Sequence, residues 1–558
     1  MRSISYPTLS TLALGLLSFT SALPTITRTG KYLYDPQGQR FSIKGVAYQP
    51  QGQLAENTQQ NQEQGGFPEP SSYIDPLSSS ANCTRDLPYL QQLGVNAVRV
   101  YSVNSSLNHD DCMDMFDKAG IYVLLDLSLP LNGSINRAEP SWTTNLLDAY
   151  INTINAFDKY DNILGYTIGN EVVNLASNTD AAPYVKAAAR DIKAYLRGIN
   201  STALVSYAAV DGDAAFRNSV AEYMTCGDES VQVDLYGLNN YEWCGNENLN
   251  SSHWNSITSG FSDIPVPTYM SEYGCITSPP RLWTEVQALF APPVSNVFSG
   301  GMAFSYFPTS DGYGMVTFSS DGTQVDTTSD FERLAKQYGN VTLPTSPTQS
   351  NSQSSTLQCP AENSTLEASS DLPPTPDASV CNCLNQNAFS CRIIQSSANQ
   401  PAIVGELTNY ACSLLGSSGA QASCNAIAGN GTSGTYGELS FCSPAIKLSY
   451  AMSAYYMFNP VSTSCDFGGN ATLSPNAPNT PQDASSAAES CLAAEPSGGV
   501  FTPSATTSSV QNTGTSSSSP SPSRSGSAGL RVKLGGGGME SWFVGIAGAI
   551  LGGTYLLI

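Results

Sequence analysis

Two glutamates close apolar stretches of this chain. Glu171 follows Asn170 at the end of "ILGYTIGNE" (163–171), and Glu272 lies near the end of "PTYMSEYG" (267–274). Two carboxylates facing each other across a cleft are what glycosidic bond cleavage needs: one protonates the leaving oxygen, the other attacks or activates water. Asn170 adds an amide that can hydrogen-bond a sugar 2-hydroxyl, a contact that strengthens as charge develops at the anomeric carbon. On this reading Glu171 is the acid. Each glutamate alone has an ordinary alternative. Glu171 could be an acid at a helix N-terminus, worth a few tenths to about 1 kcal/mol, and Glu272 could pair with a basic neighbour. Their joint placement at two strand ends favours catalysis.

The elements that must position them are legible in the pattern. Apolar runs lie at 41–49, 96–103, 121–128, 163–171, 203–211, 234–243, 267–274 and 300–307. Several are nearly continuous, as expected for parallel strands covered on both faces. Helical patterns fall between many of them, including "DDCMDMFDKAG", "WTTNLLDAYINTINAFDKY" and "AAPYVKAAARDIKAYLRGI". Eight strands alternating with helices predict an α/β fold, a (β/α)8 TIM barrel, whose chemistry sits at the C-terminal strand ends. A doubly wound sheet is the rival, but no glycine-rich phosphate loop follows the first strand. The polar residues closing the strands are Gln49, Tyr101, Asp126, Asn170, Glu171, Asp211, Tyr241 and Glu272. They would converge on one mouth.

Composition narrows the function classes. The 558 residues exceed one compact core, so two or more domains are expected. A formal net charge of −22 argues against nucleic acid or an anionic membrane surface as partner. His109 and His253 are the only histidines, which leaves few members for a histidine metal cluster or a Ser-His-Asp triad. No G-x-S-x-G elbow or P-loop occurs, no cofactor or metal is expected, and a monomer is.

Targeting signals flank the chain. Residues 1–22 carry Arg2, a short apolar core and small residues to Ala22, a cleaved secretory signal. The 14 cysteines suit an oxidising compartment, as do sequons at Asn82, Asn104, Asn132, Asn200, Asn250, Asn340, Asn363, Asn430 and Asn470. At the other end "SGSAG" (525–529), a polar spacer and the apolar tail 541–558 form a glycosylphosphatidylinositol attachment pattern, with Ser527 or Gly526 as the attachment residue. A tail-anchored helix is the alternative, but no basic residue follows the apolar run. These signals predict a cell-surface protein held on the outer face of the plasma membrane or in the wall, touching the membrane through its lipid only.

The middle divides into 23–343, the barrel; 344–378, a Ser/Thr/Pro/Gln-rich linker carrying Cys359; 379–492, cysteine-dense; 493–527, a Ser/Thr/Pro-rich stalk; and 528–558, a removed propeptide. The eight cysteines from 381 to 491 allow 105 pairings. "CNC" (381–383) could suggest zinc, but no histidine lies nearby and the compartment is oxidising.

"GYTIGNEV", "SEYGC", "GVAYQ", "NAVRVYSV" and "YGLNNYEWCG" together resemble family 72 glycoside hydrolases, fungal cell-wall β-1,3-glucanosyltransferases, over residues 24–343. The resemblance implies a retaining transglycosylase that cleaves a β-1,3-glucan donor internally and transfers it to an acceptor chain, elongating cell-wall glucan. It implies Glu171 as acid/base, Glu272 as nucleophile, Tyr101 and Asn170 as donor contacts, and Tyr241 as hydrogen-bond partner of the nucleophile. Phe304 stands where the family usually has Tyr. The acceptor-side Asp and Arg are one residue further apart than in the family, as Asp211 and Arg217, with Asp213 between them. "CNCLNQNAFSC", "LSYAMSAYY" and "CDFGGNAT" resemble a family 43 carbohydrate-binding (X8) module. The family patterns imply disulfides Cys83–Cys112, Cys244–Cys275, Cys381–Cys442, Cys383–Cys491, Cys391–Cys465, Cys412–Cys424 and a tether Cys226–Cys359.

A hydrolytic endo-β-1,3-glucanase and a catalytically dead wall-binding protein stay open; the paired glutamates speak against the second. The tail reading has a direct test. Deleting 541–558 should release soluble, active protein into the medium; a truncated chain that stays membrane-bound overturns the lipid anchor.

Overall fold

Eight parallel strands close into a barrel in this computed structural model, which describes residues 23–54, 71–130, 133–419, 422–496 and 498–505. The strands are β1 (Ile43–Ala47), β2 (Ala97–Val100), β3 (Tyr122–Asp126), β4 (Ile163–Asn170), β5 (Leu204–Val210), β6 (Leu235–Asn239), β7 (Thr268–Tyr273) and β8 (Phe298–Ala303). They pair in chain order, and β8 returns to β1. A helix follows each strand: Ser80–Leu93, Asp110–Lys118, Thr144–Phe157, Ala182–Gly198, Ala214–Thr225, Trp254–Gly260, Glu285–Leu289 and Ser329–Asn340. The last begins cleanly because the Thr328 hydroxyl accepts from Phe331 N, satisfying one of the free N–H groups of a helix start.

The core follows from parity. Inside the barrel floor, Ile43, Ala97, Leu124, Leu204, Leu235, Tyr269 and Met302 form one buried cluster. The opposite strand faces join the helices in a larger one that includes Val98, Val123, Tyr166, Val205 and Tyr236. A small sheet of Thr27–Thr29, Tyr32–Tyr34 and Arg40–Phe41 precedes β1; Ile26, Leu33 and Phe41 pack on the floor cluster.

The segment 344–378, a linker by composition, is a strap fixed along the barrel. Gln349 N donates to Gly38 O at 3.0 Å, and Gly227 N donates to Leu357 O at 2.9 Å. Cys359 is bonded to Cys226 at the end of the helix Ala214–Thr225. The Lys186 ammonium donates to Tyr223 O and Cys226 O at 2.6 and 2.9 Å beside that disulfide. Further on, Glu367 N donates to Thr179 Oγ1 at 2.7 Å, Tyr223 donates its hydroxyl to Ser369 O, and buried Thr375 donates to Asp191 Oδ1 at 2.7 Å. Ser, Thr and Pro composition signals poor core formation, but these polar groups are satisfied one by one by the barrel surface.

The cysteine-rich module follows. Its helices Ala378–Asn387, Pro401–Ser418, Pro444–Phe458 and Pro481–Leu492 surround Cys381–Cys442, Cys383–Cys491, Cys391–Cys465 and Cys412–Cys424. Cys83–Cys112 and Cys244–Cys275 staple the barrel. The module touches the barrel at its mouth side: Phe441 O accepts from Thr144 N at 2.9 Å, and Tyr436 packs edge-on against Tyr184 at 5.6 Å. Thr375 N donates to Gly499 O at 2.8 Å, so the first stalk residues lie against the strap. The signal segment, Asn132, Ser527, the rest of the stalk and the apolar tail lie outside the described residues.

The tether closes a loop of 133 residues in sequence, for which the chain-entropy account gives up to about 5 kcal/mol. The double substitution Cys226→Ser and Cys359→Ser should lower the urea midpoint and speed proteolysis within 344–378; unchanged protection there would show that polar contacts alone hold the strap.

Candidate active site

The two glutamates sit just after irregularities in their strands. Pairing of β4 with β5 shifts register between Thr167 and Asn170, and pairing of β7 with β6 shifts between Met270 and Glu272. Such a slip bends a strand and re-aims the side chain that follows. Glu171 then takes φ 50°, a left-handed conformation that costs a residue bearing a Cβ roughly 1–2 kcal/mol. Its backbone is held on both sides: Glu171 N donates to Ala208 O at 2.8 Å, and Arg137 Nη2 donates to Glu171 O at 2.9 Å.

Glu272 is only 8% exposed and surrounded by donors. The Tyr101 hydroxyl reaches Oε1 and the Tyr241 hydroxyl reaches Oε2, each at 2.8 Å. Arg99, fully buried in β2, approaches Oε1 at 3.4 Å. The same guanidinium bonds Asp126 through Nε and Nη2, at 3.1 and 2.7 Å, and Asn170 Oδ1 at 3.0 Å. Burial pushes the Glu272 carboxyl up to about 7; Arg99 opposes this, the Glu171 charge adds to it, and the Tyr241 and Tyr101 hydroxyls pull it back down. Two neighbouring carboxyls in such a place resist double ionisation. The guanidinium and two hydroxyls on Glu272 favour its charged form against the burial that opposes it.

Asn239 ties Glu171 to Asn170. Its Nδ2 donates to Glu171 Oε1 at 2.6 Å and to Asn170 Oδ1 at 3.1 Å. The amide is itself oriented by Ser271, whose hydroxyl donates to Asn239 Oδ1 at 2.7 Å. Gly237 makes this possible, since a Cβ there would stand 2.6 Å from the Ser271 side chain.

The remaining residues divide between mouth and frame. Asp211 accepts from Arg217 Nη1 at 2.9 Å and from Asn240 Nδ2 at 2.5 Å, and Trp254 Nε1 donates to Asn240 Oδ1 at 2.8 Å. Asp211, not Asp213, therefore partners Arg217, whose side chain is only 4% exposed. Phe304 lies just past β8, edge-on to Tyr101, Tyr241 and Tyr313 at 6.4, 6.3 and 5.1 Å. Two residues placed at the mouth by the strand-end argument have other work. Asp126 is buried with both oxygens on Arg99, because the charge of Arg99 needs a counterion deeper in the barrel. Gln49 spends its amide on backbone, accepting from Tyr101 N and Ser102 N at 3.1 and 3.0 Å and donating to Ile74 O at 2.6 Å. Arg99, Arg137, Asn239, Ser271 and Tyr313 were not singled out from sequence. A charged residue inside the apolar run "NAVRVYSV" was the available signal for Arg99; Tyr313 sits in a loop and offered none. Among the described residues no group of His, Cys, Asp or Glu is arranged to hold a metal ion.

Both tyrosine hydroxyls favour the charged form of Glu272, so removing either should raise its pKa. For Tyr101→Phe or Tyr241→Phe a rise of about 1 unit is expected, one charge-assisted hydrogen bond converted to pKa. Carbon-13 titration of the glutamate carboxyls reads this directly; an unmoved or lowered value would remove these hydroxyls from the charge balance.

Comparison with known proteins places this geometry. Residues 16–342 match the glucanosyltransferase family, glycoside hydrolase 72, and residues 389–472 match the X8 domain. The chain is 38% identical over 476 residues to 1,3-beta-glucanosyltransferase gas1 of Schizosaccharomyces pombe, spanning 84% of this chain and 82% of that protein. It is also 38% identical over 459 residues to 1,3-beta-glucanosyltransferase GAS2 of Saccharomyces cerevisiae, spanning 80% and 77%. A solved structure of a Saccharomyces cerevisiae Gas2p mutant in complex with laminaritetraose and laminaripentaose superposes with a TM-score of 0.72 at 35% identity, covering 84% of this chain and 99% of that one.

Proposed function

Because this chain belongs to the glycoside hydrolase family 72 glucanosyltransferases, we propose that it is a retaining 1,3-β-glucanosyltransferase. It cuts a β-1,3-glucan donor internally and passes the new reducing end to a second β-1,3-glucan chain. The observation that carries this reading is the asymmetry of the two acids: Glu272 collects Arg99 and two tyrosine hydroxyls, while Glu171 takes a neutral amide, Asn239.

Each step follows from that asymmetry. Ionised Glu272 attacks the anomeric carbon as Glu171 gives its proton to the departing glycosidic oxygen, leaving a glycosyl-Glu272 ester. Esterification removes the charge that kept Glu171 protonated, so Glu171 can now accept a proton from the attacking hydroxyl. Asn170, aligned by Arg99 and Asn239, faces the sugar 2-hydroxyl. The acceptor competes with water at about 55 M, and wins only if held at high effective concentration. Asp211, with Arg217 and Asn240 behind it, and the ring cluster of Tyr241, Phe304 and Tyr313 are the groups for that task.

The secretory signal, the attachment signal at Ser527 or Gly526 and the family membership together support an enzyme held by a lipid on the outer face of the plasma membrane or in the wall, remodelling β-1,3-glucan there. Among the described residues no helix is long and apolar enough to cross a membrane. The module 379–492 and the barrel 23–343 act as one body, with the strap between them.

The decisive experiment uses reduced laminari-oligosaccharides. Products longer than the substrate are expected; shorter ones alone would make the protein a glucanase. Glu171→Gln and Glu272→Gln should each abolish both outcomes. Asp211→Ala should lower the ratio of transfer to hydrolysis while donor cleavage continues; a ratio that stays constant as cleavage collapses moves Asp211 to the donor side.

A further inference from the structure

One buried cation of the barrel has no carboxylate to answer it. Lys186, in the helix Ala182–Gly198, is 3% exposed, and among the described residues no acidic side chain pairs with its ammonium. Its three N–H groups go instead to Tyr223 O at 2.6 Å, Cys226 O at 2.9 Å and Cys226 Sγ at 3.0 Å, and Cys359 Sγ lies 3.6 Å away. The carbonyls are good acceptors, but a disulfide sulfur is neutral and accepts weakly. Burial pushes the amine down to about 7. The Tyr223 ring, with its centroid 4.8 Å from the nitrogen, offsets only part of that. A buried charge without a counterion is costly, and no step at the barrel mouth uses this one.

The missing anion arises when the disulfide beside it opens. The two sulfurs differ in access, because Cys226 is fully buried at the end of its helix while Cys359, on the strap, is half-buried. A thiolate arriving from solvent therefore meets Cys359, and Cys226 is the sulfur that leaves. A thiol leaves faster when its thiolate is stabilised, and a neighbouring lysine does this. Lys186 stands at the leaving sulfur. Among the described residues no other disulfide sulfur takes a hydrogen bond from an ammonium or guanidinium. This is also the one disulfide that joins the barrel to the chain beyond 343.

We propose that Cys226–Cys359 is a thiol-exchange site, opened reversibly by dithiols that attack Cys359, with Lys186 as the positioning residue that receives the Cys226 thiolate. One thiolate of the dithiol bonds Cys359 Sγ as the bond to Cys226 breaks, and the electron pair of that bond leaves on Cys226 Sγ, against the ammonium. The second thiolate of the dithiol then attacks its own sulfur in the mixed disulfide, releases Cys359 and closes the reagent into a disulfide. Two electrons pass from the dithiol to the protein. Of the two protons the dithiol gives up, one returns to Cys359 and the other goes to solvent, while Cys226 stays ionised beside Lys186. Oxidation runs the same steps backwards and fastens the strap again.

The test titrates the folded full chain, in detergent and without denaturant, with dithiothreitol; free thiols are alkylated and assigned by peptide mass. Cys244–Cys275 is the matched control, since it too has one half-buried and one buried cysteine. The tether should open first. Lys186→Met should raise the dithiothreitol needed for the tether roughly tenfold, about 30 mV for a two-electron couple, and leave the control unmoved. A substitution that merely loosened the fold would ease the opening of both disulfides, the opposite sign. Glutathione, a monothiol, should be trapped as a mixed disulfide on Cys359. The control opening first, glutathione trapped on Cys226, or a Lys186→Met tether that opens at the wild-type concentration or below it each overturns the site. Where Lys186→Met yields no folded chain, the order of opening and the trapped position in the wild-type chain decide.

Discussion

A guanidinium with no access to water sits at the centre of this barrel. Arg99 bonds Asp126 through two nitrogens and reaches Glu272 and Asn170 with the same group. Removing one partner from such a buried set typically costs about 3–5 kcal/mol, because the remaining charges are stranded. A hydrophobic set of equal volume would hold the barrel together as well, so stability alone does not account for the cluster. What it supplies is alignment: one rigid planar cation sets Glu272 and Asn170 relative to each other, and Asp126 keeps that cation in plane.

The strands are shaped around this centre. The register shifts before Asn170 and before Glu272 lie on opposite sides of the barrel, separated by β5 and β6. Asn239, at the end of β6, bridges the gap by touching Asn170 and Glu171, and Ser271, the neighbour of Glu272, holds Asn239 in turn. The two acids are therefore connected through side chains as well as through space.

Much of this was legible in the chain. All eight strand runs correspond to strands, because parallel strands covered on both faces must be apolar throughout. Of the polar residues that break those runs at their ends, Tyr101, Asn170, Glu171, Tyr241 and Glu272 come together in one bonded cluster. What strand position could not reveal was depth. Asp126 and Gln49 close strands like the others, yet one is a buried counterion and the other a loop clasp. The helix Ser329–Asn340 was overlooked although Thr328 caps it; the shorter Trp254–Gly260 carries too little periodicity to read. The strap was misleading for a different reason, since composition reports whether a segment can build its own core and says nothing of a surface ready to receive it.

Glu171 carries a consequence beyond the reaction. Its left-handed backbone is sustained by Arg137 and Ala208 for the sake of one carboxylate. Glycine or asparagine would occupy that conformation more comfortably than glutamate. In the proposed reaction, thermodynamics and catalysis pull in opposite directions at this one position, as is common where activity rests on strain. A lineage released from the need to transfer sugar would drift toward glycine or asparagine at 171, gaining stability as it went. In the proposed reaction, glutamate at 171 is a choice of chemistry over backbone comfort.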